Sequence, residues 1–506
     1  MVHNESMCHS SFVVQPYRRK YLRSYSQRMS QDNLNELWDD NVASVLEEQG
    51  FSIPNAPRSV YKVDKLYEAL DKFSPANAPM PVGDLSHGVR LAYSCFSKPH
   101  SEPLLDPLPF TPEIIWKITS NHKGSAGLTA WGQTKAEAYV RAFERGVQQI
   151  KHEKFPDPCV AFKRTQFNDK TRLVWGYPYS MTAEEGLFAR PLINYFKNGH
   201  TPMAFGKTTG MLGAQLRTSS YRKEWAYSID LSSFDATISS KLILIAFKIL
   251  ATWFDLQQIE PTTGVKYESI WNDVIHYFIH TPIVMPNLMI YKGKKHGVPS
   301  GSYFTQMIDS VVNVIILGEM AYEFSLNVDK CDVYVLGDDL LFWSNRKVSL
   351  HDLSAFIHRK FGMTMKPEKS DLFHFDQPIH YLGRNWDKGV PTLDIDGILS
   401  RMSQPETYRK YDKDPEVRKR QVKLLLMSYA SVYREAYPIY VNAFGNIPRY
   451  SLTNMSLENF ALKGNSDESV EISINSLSGF DRFKRIYMST ERRNGGTVPL
   501  ALQSWK

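Results

Sequence analysis

Two adjacent carboxylates, Asp338 and Asp339, follow Gly337 between two apolar runs, Val333 to Leu336 and Leu340 to Trp343. Side-by-side carboxylates repel, and a few hard oxygen ligands suit Mg²⁺ or Mn²⁺. Upstream, Asp230 sits where the apolar run Trp225 to Leu231 ends, and Asp235 follows five residues later, near the start of a helix. A carboxylate at a strand end beside one in a hairpin turn can clamp two divalent ions about 3.5–4 Å apart, which stabilises both oxygens of a phosphoryl displacement. Asp230 and Asp338 are the candidates, with Asp339 as auxiliary ligand or electrostatic support. Each has a plainer reading alone: an exposed Gly-Asp turn, or an N-cap aspartate.

A third group is Gly297-Val298-Pro299-Ser300-Gly301, followed by Thr305, Asp309 and Asn313 at intervals of four. The loop offers backbone N–H groups, and that spacing puts the three polar residues on one helical face. Ile308, Val312 and Ile315 can face a core, so the stripe is placed to hold sugar hydroxyls and a template backbone. The alternative is a solvent-facing stripe. In the segment Ala161 to Pro178, Lys163, Lys170 and Arg172 project as a cationic wall, or as lysine guards on an edge strand.

The elements that must position these groups mix hairpins with helices. Strands are expected at Trp225 to Leu231, on both sides of Gly337-Asp338, and around Ile379 to Trp386; helices at Lys135 to His152, Lys241 to Phe254, Tyr303 to Met320 and Ser349 to Phe361. That is α+β and unlike a regular βαβ alternation. The chain has 506 residues, enough for two or three subdomains. Its net charge of +7 favours an anionic partner. Four scattered cysteines without a CxxC pair indicate neither a zinc site nor a disulfide framework. The N-terminus has no apolar core of signal-peptide length and no window is apolar enough to span a bilayer, so no membrane partner is expected. The basic, aromatic run Tyr17 to Arg28 reads as a solvated helix face or arm.

The order of these pieces resembles the palm of viral RNA-dependent RNA polymerases. Asp230 and Asp235 match motif A, Ser300-Gly301 with Thr305 motif B, and Gly337-Asp338-Asp339 motif C. The ribbon Lys163 to Gly176 looks like motif F, Ser125-Ala126-Gly127-Leu128 like the template-touching motif G, Lys369 like the motif D general acid, and Tyr381-Leu382-Gly383-Arg384 like motif E, the primer grip. The wording of the loop and ribbon looks most like partitivirus-type enzymes of double-stranded RNA viruses, with picobirnavirus relatives next. The resemblance covers roughly residues 120 to 390. Many positive-strand polymerases have Asn where Asp309 stands, so Asp309 and Asn313 are both candidates to meet Asp235.

The resemblance implies a right-hand polymerase with an antiparallel palm sheet flanked by helices, closed by an N-terminal bridge between fingers and thumb. Its parts are 1–110 bridge, 111–225 fingers, 226–245 palm, 246–295 fingers insertion, 296–390 palm, and 391–506 thumb and tail. It implies two Mg²⁺ (or Mn²⁺) ions on Asp230, Asp338 and Asp339, and Lys369 as proton donor. Nucleotide contacts fall on Lys163, Lys170, Arg172, Asp235, Ser300, Gly301, Thr305, Asp309 and Asn313. RNA contacts fall on Ser125, Gly127 and Tyr381 to Arg384. Implied partners are template and product RNA, NTPs and a viral capsid protein, with the chain a monomer inside the virion in the host cytoplasm. A reverse transcriptase is the nearest rival, but Asp235 stands where those enzymes carry a bulky residue, and Leu336-Gly337 departs from their aromatic-x-Asp-Asp. A P-loop NTPase lacks its first glycine, because Thr201 stands there. A non-catalytic RNA-binding protein would not need Asp230, Asp338 and Lys369 together.

Overall fold

A computed structural model describes residues 11–33, 37–54, 60–166, 170–199, 201–405, 409–433 and 435–445. The twelve strands among them are, in chain order, β1 (Val13–Pro16), β2 (Cys159–Gln166), β3 (Lys170–Gly176), β4 (Trp225–Ile229), β5 (Ile283–Val284), β6 (Met289–Lys292), β7 (Val333–Leu336), β8 (Asp339–Ser344), β9 (Asp371–His374), β10 (Ile379–Tyr381), β11 (Arg384–Asp387) and β12 (Val390–Thr392). The described residues fall into two compact units. The first comprises the described parts of Met1–Asn33, Tyr61–Arg164 and Thr171–Gln377, and the second those of Leu34–Val60, Thr165–Lys170 and Pro378–Lys506.

The first unit carries an antiparallel four-stranded sheet in the order β7-β8-β4-β9. Leu340 to Trp343 are all buried, as are Val333 to Val335, so these strands read as unbroken apolar runs because protein covers both faces. Behind them lies the helix Thr305–Glu323, in which every residue from Met307 to Met320 is buried. It crosses the helix Ser86–Phe96 so closely that a Cβ on Gly318 would stand 2.6 Å from the Gly88 Cα. Glu319, buried in this crossing, accepts the Gly88 N–H at 2.7 Å and pairs with the Lys360 ammonium at 3.3 Å.

The other sheet of this unit has the order β1-β6-β5-β2-β3. The basic run after β1 forms the helix Arg23–Met29, which exposes Arg23 and Arg28 but buries Tyr25 and Met29. Tyr25 anchors it by donating its hydroxyl to the Ala161 carbonyl at 2.6 Å.

In the second unit β10, β11 and β12 form a three-stranded meander. Helices Asp40–Glu47, Ile395–Ser403, Pro415–Val432 and Ala436–Phe444 enclose a core that includes Val42, Leu46, Ile398, Met402, Leu426 and Tyr440. Buried Asp39 accepts from the Arg409 guanidinium at 2.8 Å and the Tyr411 hydroxyl at 2.7 Å. The division at Gln377/Pro378 groups the β10–β12 meander with these helices. The basic tail from Arg482 to Arg493 lies outside the described residues. Among the described residues no helix is long and apolar enough to cross a membrane.

Candidate active site

Leu336 pairs with Asp339, so Gly337 and Asp338 are the two-residue loop of the β7–β8 hairpin. Gly337 has φ +63°, and of the two only it is left-handed, which fits a tight II′-type hairpin turn. The helix behind grips this turn: the Gly337 N–H donates to Ser310 Oγ at 3.0 Å, and Asn313 Nδ2 donates to the Gly337 carbonyl at 2.7 Å. Asp338 is left exposed at the tip. On the neighbouring strand Ile229 pairs with Leu340, so the next residue, Asp230, comes beside Asp339. Asp230 is held from its other side, its N–H donating to Ser370 Oγ at 3.0 Å and its carbonyl accepting the Lys366 N–H at 3.3 Å. Ser233, at φ +52°, then turns the chain so that Asp235 falls in the short helix Phe234–Thr237. The Asp235 carbonyl accepts the Val298 N–H at 2.7 Å, tying motif A to the glycine loop.

The carboxylates feel one another. Asp230, Asp338 and Asp339 reach solvent, Asp235 is half-buried and Asp309 is buried. Asp339, open on one side and ringed by protein on the others, is pushed up to about 7 by this crowding, then by Asp338 and Asp230, against the pull of Arg172. Asp235 is likewise raised to about 7 by burial and by Asp338, again opposed by Arg172. Asp309 is held well above the usual carboxylate range by burial and by Asp235 and Asp338. The Oδ1 atoms of Asp309 and Asn313 have no hydrogen-bond partner among the described residues. Such a set calls for added positive charge. Among the described residues no three acidic, histidine or cysteine side chains close on one point. A hard ion such as Mg²⁺ accepts one or two carboxylates and completes its shell with water and substrate phosphate, and the Asp230, Asp338 and Asp339 edge fits that requirement.

The remaining candidates are distributed as follows. Arg172 is exposed on β3, within electrostatic reach of Asp235 and Asp339. Lys163 on β2 lies over the Tyr61 ring at 3.8 Å, and Lys170 opens β3, its side chain being outside the described atoms. Ser300 Oγ accepts the Trp175 N–H at 3.2 Å, and a Cβ on Gly301 would stand 2.0 Å from the Trp175 carbonyl oxygen. Thr305 donates its hydroxyl to the Pro299 and Ser302 carbonyls at 2.8 and 3.0 Å, closing the loop onto its own helix. Lys369 is exposed in the turn Pro367–Lys369, next to the Ser370 that holds Asp230. Ser125 Oγ accepts the Gly127 N–H at 3.2 Å, and both residues line a cavity of about 220 Å³ with Lys135, Trp175, Gly176 and Gly301. In the second unit, Leu382 and Gly383 form the two-residue β10–β11 turn, both with positive φ, between paired Tyr381 and Arg384.

With this geometry in view, a family model described as viral RNA-dependent RNA polymerase matches residues 167–444, more than half of the chain. The chain belongs to the viral RNA-dependent RNA polymerase family. The RNA-directed RNA polymerase of Cryptosporidium parvum virus 1 (strain KSU-1) is 36% identical over 169 residues, 31% of this chain and 30% of that protein. That of Atkinsonella hypoxylon virus (isolate 2H) is 32% identical over 133 residues, covering 25% and 20%. The chain thus spans under a third of the length of these two relatives. The crystal structure of the RNA-dependent RNA polymerase of a human picobirnavirus superposes with a TM-score of 0.67 at 15% identity, covering 96% of each chain. The expected α+β polymerase fold is therefore met.

Several residues that hold this family's motifs in place escape sequence reading. Ser310 and Ser370 carry no signal beyond adjacency to Asp309 and Lys369. Glu185 was more legible, because Glu184-Glu185 interrupts an apolar helix, Tyr179–Phe196. Fully buried, Glu185 accepts from Ser302 Oγ at 2.7 Å and from the Tyr303 N–H at 2.8 Å, fixing the far end of the glycine loop.

Proposed function

We propose that this chain is an RNA-directed RNA polymerase that joins the α-phosphorus of an NTP to the 3′-hydroxyl of a growing strand on an RNA template. The observation that carries the reading is the juxtaposition of Asp230 with the Asp338-Asp339 turn, with Asp235 and Asp309 behind and Arg172 opposite. Asp230 and Asp338, with Asp339, are the residues to hold two divalent ions, which when bound supply Lewis-acid stabilisation to the attacking and leaving oxygens. The chain's own groups do the rest by position and charge. Arg172, with Lys163 and Lys170, neutralises the triphosphate. Lys369 gives its proton to the departing pyrophosphate. Asp235, backed by Asp309 and neighboured by Ser300, reads the ribose 2′-hydroxyl, while Asn313 holds the Gly337 carbonyl. Ser125 and Gly127 contact template, and Tyr381 to Arg384 steady the primer end.

A double-stranded viral genome, a capsid-protein partner, monomeric action within the virion and the finger, palm and thumb roles belong to the same reading. They rest on the resemblance of the loop and ribbon wording to partitivirus-type enzymes. Nucleotide selection tests it. Single-nucleotide incorporation on a primed RNA template should favour rNTPs over dNTPs, and Asp235→Asn should narrow that preference, because a site built to bond the hydroxyl rejects the nucleotide lacking it. Replacing Lys369 with Leu should slow incorporation by about 10²–10⁴, the usual worth of general-acid help. A wild-type preference for dNTPs would move the reading to reverse transcription.

A further inference from the structure

Lys294 is fully buried, and among the described residues no carboxylate is in its contacts. Its ammonium has three donors and meets three backbone carbonyls: Phe278 at 2.8 Å, Gly297 at 2.7 Å and His296 at 3.3 Å. Phe278 lies in the last turn of the helix Tyr267–His280, and the residue that would have donated to its carbonyl is Pro282, which has no N–H. The negative end of a helix dipole favours a cation there. The other two carbonyls belong to the start of the glycine loop. That loop is bonded onward through the Gly297 N–H to the Ile238 carbonyl and the Val298 N–H to the Asp235 carbonyl, both at 2.7 Å. The Lys294 ammonium also lies 5.7 Å from the centre of the Trp175 ring, whose backbone N–H meets Ser300.

We propose that Lys294 is a positioning residue for nucleotide selection: its ammonium clamps the start of the glycine loop to a helix C-terminus and so sets where the loop meets Asp235 and β3. The inference rests on the polymerase reading for the selection and on the geometry alone for the clamp. Burial lowers Lys294 to about 7, so the clamp is charged below neutrality and relaxes above it. Asp235, raised to about 7, and Glu185, raised to about 8, also bond the loop, so the step belongs to Lys294 only if it is lost with the Lys294 ammonium. The Cys159 thiol on β2 is raised by burial and stays neutral. His280, whose Nδ1 lies 2.9 Å from the Lys294 carbonyl, and His296 are both lowered by burial, so their titrations lie below the usual histidine range. Lys295 is exposed.

The test is hydrogen exchange on the full chain, followed by kinetics. In Lys294→Met, amides of residues 297–302 should exchange about ten-fold faster while those of β4 and β8 keep their rates. The NTP KM should rise about ten-fold with kcat within about three-fold, the mark of lost positioning rather than lost folding. Lys295→Met serves as control and should change neither. In the wild type, intrinsic-rate-corrected exchange of the same loop should step up as pH passes about 7, and the step should be absent in Lys294→Met, which keeps Asp235 and Glu185; a step that persists there overturns the clamp. Unchanged loop exchange in folded Lys294→Met, or a flat wild-type pH profile, overturns the clamp. Faster loop exchange in Lys294→Met, with a wild-type chain inert towards NTPs, would uphold the clamp and sink the polymerase reading.

Discussion

Asn313 and Ser310 hold the two backbone polar groups of one residue, Gly337, which precedes Asp338 in the turn. Removing either leaves a buried backbone group of Gly337 without its partner, at a cost of about 1–3 kcal/mol. Asn313→Ala and Ser310→Ala should each lower the urea midpoint accordingly, with incorporation falling further than stability because the turn carries Asp338, the carboxylate proposed to hold a metal ion. The acidic residues stood out in the sequence by their spacing together with the order of the motifs, each one alone reading equally as a turn or a cap. The division of labour between Asp309 and Asn313 was not legible, because residues four apart on a helix share a face and what packs against each decides its partner. Here Asp309 lies within electrostatic reach of Asp235 and Asn313 bonds the turn. Ser370 was hidden for a related reason: its hydroxyl finds Asp230 only through a contact across 140 positions.

The hairpin, the glycine loop and the ribbon are elements whose glycines do different work. Gly337 has open space around its missing side chain, so Gly337→Ala meets only the strain of a left-handed backbone, about 1–2 kcal/mol. Gly301 is the opposite case, with no left-handed φ but with the Trp175 carbonyl oxygen where a methyl group would go. Gly301→Ala should therefore push the loop off β3 and reduce incorporation more than Gly337→Ala does, which single-turnover rates on the two folded variants would show; equal rates would contradict it. Periodicity and turn residues foretold the palm strands and the long helix. They missed β1, whose Val-Val-Gln-Pro becomes an edge strand because β6 offers it partners. The helix expected at Lys241 to Phe254 runs Ser240–Ala251, capped by Ser239 and separate from the short helix that bears Asp235.

Across the whole molecule, the order of motifs was readable, but the grouping of β10–β12 with the C-terminal helices depends on long-range contacts that no local pattern reports. A buried titratable group at this scale gives a further test. Glu185 is raised to about 8 by burial, so it is protonated in the folded state where an unfolded glutamate is ionised. Its contribution to stability is complete below the unfolded value near 4.5 and is lost as pH rises through about 8. Thermal scans from pH 5 to 9 should show Glu185→Gln losing less stability than wild type over that span, and parallel curves would refute the assignment. The central claim is tested most directly by extension on a single-stranded RNA template with labelled NTPs and Mg²⁺, wild type beside Asp338→Ala. The expected result is ribonucleotide incorporation by the wild type that disappears in a variant still folded and still binding RNA. Incorporation that survives Asp338→Ala would contradict the account.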